Sequence, residues 1–132
     1  MFSNRQGNSS EEVALLSALF DVLDQDGSGR LTFKELDCFG QALLENSEDN
    51  AERTASEYMC AALVEFCNAL QRGGSTSCTK SQFCQFEPAE FPAQHWSTMV
   101  GIIEYICNTP AASAAILRSI HAVRERDKVV RV

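Results

Sequence analysis

The sequence predicts an all-α fold, on three observations. Apolar residues recur three and four positions apart in successive segments, the spacing of a helix face. Most of those segments open on a helix-start signature, either a capping box or a first-turn proline. The stretches between them are rich in Gly, Ser, Asp or Pro, which interrupt helices. The chain has 132 residues, about one domain. With 45% hydrophobic residues and eight Phe, it can bury a core without covalent staples.

Residues 1–8 are polar and carry no pattern. Ser9 with Glu12 makes a capping box, so a first helix begins near Ser10, with Leu16, Leu19, Phe20 and Leu23 on its apolar side. The Asp/Gly-rich stretch 24–30 ends it. Thr32 with Glu35 is a second capping box, and the helix it opens carries Leu36, Phe39, Leu43 and Leu44. Gly40 weakens that helix by about 1 kcal/mol relative to Ala, and either permits a close helix contact or is tolerated. Residues 45–50 form a polar linker. Asp49 with Glu52 opens a third helix running to about Leu70, with Ala55, Met59, Ala62 or Leu63, Phe66 and Leu70 inward. After the loop Gln71–Ser77, Thr79 with Gln82 caps a short fourth helix bearing Phe83 and Phe86. Glu87 to Pro92 reads as a linker. Pro92 suits the first position of a fifth helix with Trp96, Met99, Val100, Ile103 and Ile106. Thr109 caps and Pro110 starts a sixth, with Ile116, Ile120 and Val123; Val129 to Val132 have no evident partner.

Composition excludes several classes. No apolar run approaches the roughly 18 residues of a membrane span. The first residues lack a signal peptide's apolar core and a Gly at position 2, and the last four are not a CaaX box, so a cytoplasmic protein is expected, cytoskeleton or cilium included. Cys38, Cys60, Cys67, Cys78, Cys84 and Cys107 fall mostly in helical patterns without a CxxC, and are read as reduced, small apolar residues. His95 and His121 stand in no zinc-like spacing with them. The net charge of −7 argues against a nucleic-acid partner. It is unevenly spread: residues 1–116 carry 6 basic and 16 acidic side chains, and residues 117–132 carry 5 basic and 2 acidic. A Cys–His nucleophile has no supporting motif, glycine loop or orienting third residue, so no enzyme is expected.

Residues 24 to 35, Asp-Gln-Asp-Gly-Ser-Gly-Arg-Leu-Thr-Phe-Lys-Glu, lie between the first two helices. Oxygen-bearing residues stand at positions 1, 3, 5, 9 and 12 of this segment, a glycine at 6 and Leu31 at 8. From Leu16 to Leu44 the chain resembles the EF-hand family, of which calmodulin, troponin C and parvalbumin are members. The resemblance implies one calcium ion held by Asp24, Asp26, Ser28, Arg30, Thr32 and Glu35. Asp24 and Asp26 supply short carboxylates, Ser28 a neutral oxygen, and Arg30 its backbone carbonyl, leaving its side chain to face water. Thr32 acts through a water. Gly29 takes a left-handed backbone. Glu35 reaches back with both oxygens, filling the seven-coordination that calcium accepts and magnesium resists. Three carboxylates and an unsupported loop imply weak binding, on the order of 10⁻⁵ M.

EF-hands pair through position 8. Placing Cys78 there aligns Leu63, Phe66, Cys67 and Leu70 with Leu16, Leu19, Phe20 and Leu23, and Phe83 and Phe86 with Leu36 and Phe39. The second loop then runs Gln71 to Gln82. Gln71, Gly73, Ser75, Ser77, Thr79 and Gln82 stand at its ligand positions, without a carboxylate, and Thr76 replaces the glycine. Such a set repays little of a divalent ion's dehydration. The segment is either a degenerate, structural EF-hand or an unrelated helix-loop-helix.

The expected organisation is an EF-hand pair over 1–90, hand one at about 10–46 and hand two at about 50–87, with a C-terminal helical pair over 91–132. That pair either fills the groove that calcium opens in sensor hands or completes a single core. The basic end, Arg118, Arg124, Arg126, Lys128 and Arg131, is either a solvated helix terminus or a docking surface. Two functions follow. One is a calcium-binding adaptor or sensor acting on a protein partner such as an amphipathic helix. The other is a structural, light-chain-like or cytoskeletal subunit in which calcium is incidental.

Overall fold

The computed structural model describes residues 10–25, 27–86 and 91–130. They form six α-helices and one two-stranded sheet: α1 (Ser10–Leu23), β1 (Arg30–Thr32), α2 (Phe33–Glu45), α3 (Asn50–Arg72), β2 (Ser77–Thr79), α4 (Lys80–Phe83), α5 (Ala93–Asn108) and α6 (Pro110–Val130). The molecule is mostly helical, as predicted.

Local chemistry sets the boundaries. Thr32 caps α2 with its side chain on the Glu35 amide, while the Glu35 carboxylate takes the Thr32 N–H. Thr79 and Gln82 do the same for α4, and Asp49 caps α3 at the Glu52 amide. Each cap satisfies amide donors that the first turn leaves unpaired. Ser9 lies outside the described residues; Glu12 accepts from the Trp96 indole N–H, at 2.9 Å. Thr109 is extended, at φ −121° and ψ 108°, because the residue before a proline is pushed out of the helical region. The break bends α5 against α6 by 104°.

Three boundaries differ from the sequence reading. α3 continues two residues past Leu70, since nothing stops it before Gly73. α4 is only four residues long, so Phe86 is buried from the turn that follows it. Pro92 caps α5 from outside the helix, with ψ 141°, rather than occupying its first position.

Arg30–Thr32 and Ser77–Thr79 pair antiparallel, with Leu31 directly opposite Cys78. That is the register the alignment predicts. Both side chains are fully buried, so the short ladder ties two helix-loop-helix units through their loops. Phe83 sits at the junction, with ring centroids 5.9 Å from Phe20, 6.3 Å from Phe66 and 6.4 Å from Phe86. Gly40 resolves as a close contact: a Cβ there would lie 3.0 Å from the Cys60 sulfur, where α2 crosses α3.

α5 and α6 belong to the same core. Trp96, Met99, Ile103, Ile106, Ile116, Ile120 and Val123 are buried in one cluster with Leu16, Leu19, Phe39 and Met59. α5 packs on α1 and α3, and α6 on α2. Among the described residues no single helix is long and apolar enough to cross a membrane.

Candidate metal centre

The first loop is built around Asp24. Its backbone N–H still donates to Phe20 O at 2.8 Å, so α1 delivers the residue at a defined angle. Its carboxylate then gathers the amides that follow. Oδ1 accepts from Ser28 N at 3.2 Å and from Ser28 Oγ at 3.1 Å, and Oδ2 accepts from Gly29 N at 2.8 Å. This inward curl needs two left-handed residues. Gly27 has φ 67° and Gly29 has φ 81°, and a Cβ at either would meet open space. Backbone conformation, not crowding, therefore selects glycine.

Ser28 Oγ lies 3.0 Å from Arg30 O and accepts from Arg30 N at 3.3 Å. Its single proton serves either the Arg30 carbonyl or Asp24 at a given moment. The Arg30 carbonyl is thus turned toward the same oxygens. The Arg30 side chain does more than face water: its guanidinium donates to Ser77 Oγ at 2.8 Å, across to β2. Thr32 Oγ1 accepts from Glu35 N at 3.0 Å, so this oxygen serves the cap.

Glu35 is doubly engaged. Oε1 accepts from Thr32 N at 2.8 Å, and Oε2 lies 3.4 Å from Arg124 Nη2, on α6. Sequence reasoning missed Arg124 at this site. It lies 89 positions from Glu35. Only the i, i+4, i+7 row Ile116, Ile120, Val123 hinted which side of α6 turns toward α2. Asp26 falls outside the described residues. Among the described residues no group of three or more His, Cys, Asp or Glu side chains is placed to hold a metal. Of the oxygens expected to hold an ion, those described are the Asp24 and Glu35 carboxylates, the Ser28 hydroxyl and the Arg30 carbonyl. They are all oxygen, and this donor chemistry fits a hard divalent cation.

Among the described residues no cysteine joins a group placed to hold a metal. None of the six cysteines, all of them described, is in a disulfide. Burial pushes the Cys78 thiol up to about 12, and Cys60 and Cys67 up to about 11. Burial also raises Cys38, Cys84 and Cys107. Protonated thiols are poor nucleophiles and poor metal ligands.

The chain matches no protein-family model, no curated protein and no solved structure.

Proposed function

We propose that the chain is an EF-hand protein in which segment 24–35 takes one calcium ion, segment 71–82 serves as its structural counterpart, and the pair acts through a protein partner. One observation carries the reading. The positive φ of Gly29 and the 2.8 Å contact from its amide to Asp24 Oδ2 curl the loop inward, bringing the carboxylate, the Ser28 hydroxyl and the Arg30 carbonyl together. In this reading Asp24, Ser28, Arg30 and Glu35 hold the ion, with Asp26 and, through water, Thr32 completing the set.

Calcium would supply a hard double charge that draws hard oxygens together. Asp24 ends α1 and Glu35 lies in the first turn of α2, so gathering them changes the angle between these helices. α1 bears on α5 through the hydrogen bond between Glu12 and Trp96. A cleft of about 480 Å³ between α2 and α3, floored by Leu36, Leu63 and Cys67 with Val64 exposed beside it, supports an amphipathic helix as the partner segment. The acidic balance of residues 1–116 favours basic flanks on that helix. We place it in the cytoplasm, cytoskeleton or cilium included, as six cysteines without a CxxC favour.

A calcium titration followed by Trp96 fluorescence tests this. The wild-type chain should give a saturable change. Glu35→Gln should weaken it by more than the roughly 10-fold that losing even an outer-shell partner of a metal costs. A variant that titrates like wild type, or a wild-type signal indifferent to calcium, would sink the reading. The second reading, a structural subunit with incidental calcium, draws on α5 and α6 sharing the core with the paired units. It predicts partner binding of equal strength with and without calcium.

A further inference from the structure

Bidentate ligation of calcium requires both oxygens of Glu35. One of them faces a cation already within the chain. Arg124 Nη2 stands 3.4 Å from Glu35 Oε2, and the two side chains are only 37% and 33% exposed. Leu23, Leu117 and Ile120 line the cavity of about 210 Å³ against which the pair sits, with His121 beside it. Their partial burial keeps solvent from screening the pair fully. A guanidinium and a divalent ion cannot share one carboxylate oxygen at close range without strong like-charge repulsion.

From this we infer that Arg124 is an intramolecular competitor for the cation site: it holds Glu35 until calcium displaces it, and so sets the affinity and couples the loop to α6. The inference rests on the calcium reading of segment 24–35. Ile120 and Val123, buried one turn or less from Arg124, anchor this end of α6 in the core. Releasing the guanidinium removes the polar tie over that anchor. By linkage, whatever calcium costs the α6 contact, the α6 contact costs calcium.

The test compares calcium affinity, by calorimetry on the full chain, in wild type, Arg124→Gln and Arg118→Gln. Arg118 is exposed on the same helix, and its replacement removes the same charge. Arg124→Gln should bind calcium about 5-fold more tightly, the upper value for a partly exposed ion pair. Arg118→Gln should stay within about 2-fold, as a screened distant charge does. Calcium bound equally by wild type and Arg124→Gln, or tightened as much by Arg118→Gln, overturns the competitor and leaves the calcium reading intact. No binding in any of the three overturns both. If Arg124→Gln fails to fold, hydrogen exchange on the wild-type chain decides. Calcium should speed exchange of the α6 amides from Ile120 to Glu125, and unchanged or slower exchange overturns the inference.

Discussion

Thr32 and Thr79 end the two paired strands, opposite Ser77 and Arg30 respectively, and cap their helices in the same way. The box at Thr32 closes at 2.8 and 3.0 Å, and the box at Thr79 at 2.9 and 3.2 Å. Gly27 and Gly74, at equal distances before those caps, both have positive φ. The loops between these shared points are opposite in character. In segment 24–35 the amides of Ser28 and Gly29 converge on the Asp24 carboxylate. In segment 71–82 the amides of Gly73, Gly74 and Ser75 turn back to the carbonyls of Ala69, Gln71 and Leu70, as the end of a helix. The frame that joins the two units is thus separate from the carboxylate-centred loop that one of them holds.

The helices entering the loops differ too. Leu16, Leu19, Phe20 and Leu23 are all buried, whereas of Leu63, Phe66, Cys67 and Leu70 only Leu63 is. The C-terminal half of α3 borders the open cleft. Likewise α2 has 13 residues and α4 has four. α2 has α6 laid along it.

The largest effect that tests the shared frame is core truncation. Phe39→Ala and Phe83→Ala each remove a fully buried ring, one from each unit. Each should cost about 3–5 kcal/mol in urea unfolding. A cost under about 1 kcal/mol at Phe83 would show that the second unit is not part of the same cooperative core. Cap removal is smaller and separates frame from chemistry. Thr32→Ala and Thr79→Ala should each cost about 1 kcal/mol of stability. Only Thr32→Ala should also weaken calcium binding, since its cap orients Glu35. A calcium effect from Thr79→Ala would erase the distinction between the loops.

Much of the fold was legible because its signals are local. The capping boxes at Thr32 and Thr79, the break at Thr109–Pro110 and the buried rows of α1, α5 and α6 all follow from residues within a turn or two of each other. The pairing of Leu31 with Cys78 was reached through alignment of two helix patterns, although the strands have only three residues each. Asp24 and Gly29 were legible as loop chemistry for the same local reason. The Arg124 contact with Glu35, the Arg30 contact with Ser77 and the Trp96 contact with Glu12 were not. Each joins elements far apart in the chain, and a charged or polar residue on an amphipathic helix looks alike in sequence whether it meets water or a partner. The early end of α4 at Phe83 also escaped, because Phe83 and Phe86 fit a helix row equally well as a turn.

The most direct test of the central claim is the stoichiometry of calcium binding to the full chain by isothermal calorimetry. The account predicts one ion per chain, lost in Glu35→Gln and unchanged in Gln82→Ala. Two ions per chain, or one ion that survives Glu35→Gln, would contradict it.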